Sequence, residues 1–199
     1  MKNIQREDLF PLSLSQLNFL SLERALSGTS VNNISTTIRI RGRVDFVALQ
    51  KSINLVIESD TSLRTQLLTV DGGEIMQYHA PYIEEKFPVY DFTNTSEEGI
   101  ANWEQAVTRE LIRLEDSPLY RFILFRDSEN SGGILVKLHH IIADGWTQIM
   151  LCNKIGKTYL ELLSGKASCP CAIPARRKRP SSTSSTKAAA MSTSCKRLD

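Results

Sequence analysis

A change of composition at Gly165 decides which residues of this chain can build a core. From Lys166 to Asp199 the sequence is Pro, Ser, Thr, Lys and Arg with few large apolar side chains. Such a segment cannot bury enough surface to fold, and a disordered tail is expected over 166–199. The foldable part is therefore one domain, residues 1–165. Charge follows the same boundary. Residues 1–165 hold 16 Lys/Arg and 21 Asp/Glu, a net charge near −5, and residues 166–199 hold 8 and 1, near +7. An acidic body lacks the basic footprint that nucleic-acid binding requires, and the run Arg176-Arg177-Lys178-Arg179 has no aromatic residues interleaved with it.

The opening Met1-Lys2-Asn3-Ile4-Gln5-Arg6-Glu7-Asp8 has no apolar core and is not a secretory leader. No stretch approaches the roughly 18 apolar residues of a membrane span. A cytoplasmic protein without membrane or nucleic-acid partners is expected. Cys152, Cys169, Cys171 and Cys195 form no CxxC pair, and they read as reduced thiols with no metal site.

Within the body, strands and helices interleave, which predicts an α/β (α+β) layered sandwich. Ser13 opens a helix to about Ala25 with Leu17, Leu20, Leu22 and Leu26 as its apolar series. Ile34, Thr36, Ile38 and Ile40 alternate with polar residues, as in a half-buried strand. Asp45 caps a helix whose face is Phe46, Leu49, Ile53, Val56 and Ile57. Strands are predicted at Ser62–Val70 and Glu74–His79, joined through Asp71-Gly72-Gly73. Thr95-Ser96-Glu97-Glu98 fits a capping box before a helix bearing Ile100, Trp103, Val107, Leu111 and Leu114. Strands at Leu119–Arg126 and Gly133–His139 flank a hairpin loop over 127–132. The last helix, Trp146 to Leu163, is apolar over much of its circumference and is expected to pack on more than one side.

The sharpest feature is His139-His140-Ile141-Ile142-Ala143-Asp144-Gly145, two of only three histidines side by side after the β-prone run Ile134–Leu138. Strand alternation predicts that the two imidazoles point to opposite faces, His140 with Leu138 and Val136, His139 with Lys137 and Leu135. An imidazole at an apolar strand end is suited to general-base work near neutrality. Asp144 has two readings, a partner holding His140 or an anchor for the loop through an arginine elsewhere. The bland alternative is a hydrogen-bonded histidine pair at a strand end. HxxxD alone is weak, whereas the whole HHxxxDG pattern arises by chance on the order of once in a few thousand such chains.

His139 to Thr147 resembles the HHxxxDG signature of condensation domains of nonribosomal peptide synthetases. Pro11 to Gln16 with Phe19 and Leu22 resembles the opening motif of those domains, and Leu63-Arg64-Thr65 the end of their R-H-E-x-L-R-T-x-F motif. The resemblance covers residues 8–165. Departures are Ser15 for Ala, Asn18 for Arg, and Ser59, Asp60 and Thr61 for Arg, His and Glu.

The resemblance implies a chloramphenicol acetyltransferase-like half-domain, one half of a V-shaped pair with the histidine motif in a tunnel between the halves. It implies amide formation between a donor acyl or peptidyl thioester and an acceptor aminoacyl thioester. These are carried on phosphopantetheine arms of carrier-protein domains, beside an adenylation domain, in secondary-metabolite biosynthesis. No cofactor is bound directly. His140 is the implied catalytic residue, as general base or by positioning the amine and stabilising the charged intermediate. His139 is implied to be structural, and Asp144 to form a salt bridge with an arginine, here Arg64. Gly145 is read as giving the turn room, with an N–H available to an oxyanion. The histidines exclude the heterocyclising branch, which carries aspartates there. An epimerisation domain, a related acyltransferase and an inactive carrier-binding remnant are the alternatives.

A complete condensation domain has roughly twice this ordered length, so residues 1–165 are expected to be an N-terminal subdomain, inactive without the C-terminal half. The tail suggests why. Read one base earlier, the codons of Ser181–Thr186 permit Phe-Phe-Asp-Phe-Ile-Asp, and those of Met191–Cys195 permit Asn-Glu-Tyr-Leu-Leu, both in keeping with the family's continuation. The tail thus reads as a frameshifted segment.

Overall fold

A computed structural model describes residues 6–165. The tail, three of the cysteines and the frameshift reading lie outside the described residues. In chain order the elements are a 3-10 turn Arg6–Asp8, β1 Phe10–Pro11, α1 Leu14–Ala25, β2 Asn33–Arg41, α2 Phe46–Ser59, β3 Thr65–Thr69 and β4 Ile75–His79. They continue with β5 Val89–Asp91, α3 Glu97–Arg109, β6 Tyr120–Ser128, β7 Ser131–His139 and α4 Gly145–Leu163.

β7 organises the molecule. It lies between β2 and β6 in a sheet of order β2-β7-β6-β5, antiparallel except for the β5–β6 pair. Its alternation splits the core in two. Ile134, Val136 and Leu138 face α2 and α4 together with Phe122 and Leu124, against Leu49, Ile53, Ile57, Leu151 and Ile155. Leu135 and Ile123 face the other way, against Val107 and Trp103 of α3. Each buried aliphatic contributes roughly 1.5–3 kcal/mol. β7 leaves no room for a side chain where it meets β2, since a Cβ on Gly133 would lie 2.0 Å from the Ile38 carbonyl oxygen.

A second, smaller sheet of order β1-β4-β3 stands beside the first. It packs through Leu67 on Leu12, Leu20 of α1, Leu119 and Ile141, so α1 is pinned between this sheet and the end of β7.

Several expectations are corrected. On α1 only Leu20 is buried, and Leu17, Leu22 and Leu26 are exposed. The inward face of that helix is instead Gln16, Phe19, Leu20 and Glu23, of which Gln16 and Phe19 meet the turn after β7, Leu20 packs in the apolar cluster and Glu23 accepts from Asn32. The stretch Thr61–Arg64 is a turn closed by Arg64 N–H to Thr61 O, so β3 starts at Thr65. The hairpin loop shrinks to Glu129-Asn130, because both strands run on past an irregularity at Asp127. Ser96 caps α3 through Gly99 N–H, and with glycine at that position no reciprocal capping box forms. α3 stops at Arg109, so Leu111 and Leu114 lie beyond it. α4 is packed on one side only, leaving Trp146, Ile149, Met150, Leu160 and Leu163 exposed.

Candidate functional site

The chain reverses where β7 ends, and the two histidines sit on that reversal. β7 ends at His139, whose N–H donates to Leu119 O at 2.9 Å. The next N–H, of His140, donates to Asn32 O at 2.7 Å, and Ile142 N–H closes a turn onto His139 O at 3.1 Å. The strand stops at His139, and both rings reach α1, His139 at Glu23 and His140 at Phe19.

His139 is buried. The Ile141 N–H donates to its Nδ1 at 3.1 Å. Nδ1 is therefore the acceptor, the proton resides on Nε2, and that nitrogen faces Glu23 Oε2 at 3.4 Å. Burial holds the His139 pKa below the usual imidazole range and the neighbouring His140 adds to this, while the Glu23 carboxylate opposes both.

His140 is half-buried. Its ring stacks on Phe19 at 4.6 Å between centroids and 14° between planes. Nδ1 lies buried with no hydrogen-bond partner. Nε2 is the ring nitrogen left for a reacting group.

Asp144 caps α4, accepting from Thr147 N–H at 2.7 Å. Those bonds hold its carboxyl below the usual range, and His140 contributes in the same direction. Its expected ion pair with Arg64 is not formed. Arg64 instead donates from Nη1 to Ala80 O at 2.8 Å, with Nε buried and unpartnered. It lines a cavity of about 820 Å³ with Tyr78, His79 and Tyr120, and neither His140 nor Asp144 is in that wall. The structure thus brings together His139, His140 and Asp144, and leaves Arg64 apart. Gly145 opens α4 with no positive φ, and a Cβ there would meet nothing within 4 Å. The turn itself does not require glycine.

Glu23 and Asn32 are the site residues that sequence reasoning missed. Gln16, Phe19 and Glu23 recur at steps of three and four, one stripe of a helix. That stripe was the available signal, and the leucines obscured it. Among the described residues no group of His, Cys, Asp and Glu is arranged to hold a metal, and no helix is long and apolar enough to cross a membrane.

The layered α/β half-sandwich is a fold seen in solved condensation domains. The starter condensation domain of rhizomide synthetase superposes with a TM-score of 0.75 at 21% identity, covering 82% of this chain and 40% of that one. The first condensation domain of the CDA synthetase gives 0.72 at 17% identity, covering 82% and 43%. The chain belongs to the condensation-domain family, whose model matches residues 6–173. A linear gramicidin synthase polypeptide of Brevibacillus parabrevis is 32% identical over 175 residues, 86% of this chain and 3% of that protein. A surfactin synthase polypeptide of Bacillus subtilis (strain 168) is 31% identical over 164 residues, 78% of this chain and 4% of that protein. The chain therefore spans less than half of the solved domains and a small part of the synthases.

Proposed function

We propose that residues 1–165 are the histidine-bearing, N-terminal subdomain of a condensation domain. The domain forms an amide bond between a donor acyl or peptidyl thioester and an acceptor aminoacyl thioester. The relatives include a probable nonribosomal peptide synthetase beside the gramicidin and surfactin synthases, which supports this reaction class. A variant of the rhizomide synthetase starter domain is known in complex with C8-CoA and Leu-SNAC. Under this reading the thioesters arrive on phosphopantetheine arms of carrier-protein domains in the cytoplasm. An adenylation domain is a neighbour, and a C-terminal half completes the tunnel.

The observation that carries the reading is the mounting of His140, with Nδ1 sealed and Nε2 open. In the reaction the acceptor amine nitrogen attacks the thioester carbonyl carbon. A C–N bond forms and negative charge develops on oxygen. The C–S bond then breaks, and the departing thiolate takes up the proton that the amine loses. A proton on Nδ1 of His140 would leave a buried N–H without an acceptor, whereas a proton on Nε2 leaves only a buried lone pair. Orphaned buried N–H groups are the rarer and costlier case. Nε2–H is then a donor facing the reacting centre, suited to holding the developing oxyanion. This favours the positioning and charge-stabilising role over that of general base.

The test is amide formation from an acyl thioester and an aminoacyl thioester. It is run with this chain and with a chimera in which residues 6–165 replace their counterpart in the gramicidin synthase condensation domain. Product from the chimera, lost in His140→Ala, is expected. A folded but silent chimera contradicts the reading. The exposed apolar surface around Trp146, Ile149 and Met150 favours a second reading, a carrier-binding remnant. In that case carrier binding persists and no amide forms in either protein.

A further inference from the structure

α1 touches the histidine turn at three successive positions of one stripe. Gln16 Nε2 donates to Ile141 O at 3.2 Å. Phe19 stacks on the His140 ring. Glu23 Oε2 accepts from Asn32 Nδ2 at 2.6 Å and faces His139 Nε2. Asn32 is buried and joins both ends of the assembly. Its Nδ2 also donates to Phe19 O at 3.2 Å, while its backbone oxygen takes the His140 N–H. A side-chain amide that binds Glu23 and the Phe19 carbonyl together, with a main chain that anchors His140, leaves the imidazole little freedom.

We infer that Glu23 and Asn32 are positioning residues for His140. Glu23 fixes His139 in the Nε2–H tautomer, so that its Nδ1 can hold the Ile141 N–H and keep the turn closed. Asn32 ties that carboxylate to the Phe19 carbonyl and to the His140 backbone. Neither residue touches the substrates. The half-buried Glu23 carboxylate at 3.4 Å from the ring is needed because His139, itself buried, would otherwise lose the acceptor for its Nε2–H. The imidazole would then be free to change tautomer, and the Ile141 N–H would lose its acceptor in turn. The consequence for catalysis rests on the condensation reading, whereas the geometry of the mount does not.

The experiment is NMR of the whole chain carrying ¹⁵N-labelled histidine, recorded near pH 7. Three imidazoles contribute, and His79→Gln assigns one of them. His139 is expected as a single tautomer, protonated on Nε2 with Nδ1 unprotonated. Glu23→Gln keeps an acceptor oxygen and is expected to keep that tautomer. Glu23→Ala and Asn32→Ala are expected to mix the tautomers of His139 and to shift the ring signals of His140 as its stack on Phe19 loosens. A His139 protonated on Nδ1 in the unsubstituted chain overturns the inference. So does a folded Glu23→Ala or Asn32→Ala variant whose His140 signals stay in place. In the chimera, Glu23→Ala is expected to lower kcat by up to about a hundredfold with KM little changed, and Glu23→Gln to restore most of it. If the unsubstituted chimera makes no amide, the condensation reading fails while the NMR result still decides the mount.

Discussion

The ammonium of Lys137, near the C-terminal end of β7 and with no exposed surface, donates to the backbone oxygen of Val107 in α3 at 2.7 Å. It also reaches Glu110 O, and Asn33 Nδ2 donates to Thr108 O and Glu110 O. Two side chains from the sheet thus satisfy the carbonyls that α3 leaves open, which is why the helix ends at Arg109. Burial, with Arg121 nearby adding to it, pushes the Lys137 pKa down to about 8 from 10.5. Below pH 8 both folded and unfolded chains hold the proton, and stability does not vary through this group. Between about 8 and 10.5 the unfolded chain holds more protons, so stability rises with pH. Urea unfolding of the native chain and Lys137→Met should show their stability difference changing in favour of the native chain over that window, by on the order of 2 kcal/mol. A difference that does not vary with pH would show that Lys137 is solvated.

Gly133, near the start of β7, and Gly145, at the start of α4, should behave oppositely. Gly133→Ala drives a methyl group into the Ile38 carbonyl and should cost roughly 3 kcal/mol, with loss of the β2–β7 pairing. Gly145→Ala meets open space in the first turn of α4 and should raise stability by about 0.5 kcal/mol. Thermal melts of both variants check this. A destabilised Gly145→Ala would mean that the turn needs a conformation only glycine adopts.

Asp144 and Arg64 should prove independent. Asp144→Asn keeps an oxygen for the Thr147 N–H, so α4 should stay capped and the melting temperature near that of the native chain. Removing both side chains in a double-mutant cycle should give additive shifts in melting temperature, since each residue has its own backbone partner. A clear coupling between them would restore the ion pair that the resemblance implied.

What the sequence disclosed follows from how local each signal is. The strand carrying Ile34, Ile38 and Ile40, the Asp45 cap and the run into His139 depend on neighbours in the chain, and the structure reproduces them, although Thr36 is exposed and Ser35 and Thr37 are half-buried, so the expected alternation breaks there. The end of α3 depends on Lys137 and Asn33, which are distant in sequence, and no local pattern marks it. Glu23 was hidden for a related reason. A glutamate near the end of an amphipathic helix reads as solvent-facing, and only the packing of α1 on the strand end turns it inward. The Asp144–Arg64 pair failed because a motif fixes residue types, whereas each side chain binds the nearest backbone group.

The central claim is that His140 serves amide formation through Nε2. It is tested most directly by measuring product from acyl and aminoacyl thioesters in the chimera, with His140 replaced by Ala and by Gln. The account predicts a loss of about 100–1000-fold for His140→Ala, the scale of removing one donor to an oxyanion, and a smaller loss for His140→Gln, which keeps an N–H donor. Full turnover by a folded His140→Ala variant would contradict it.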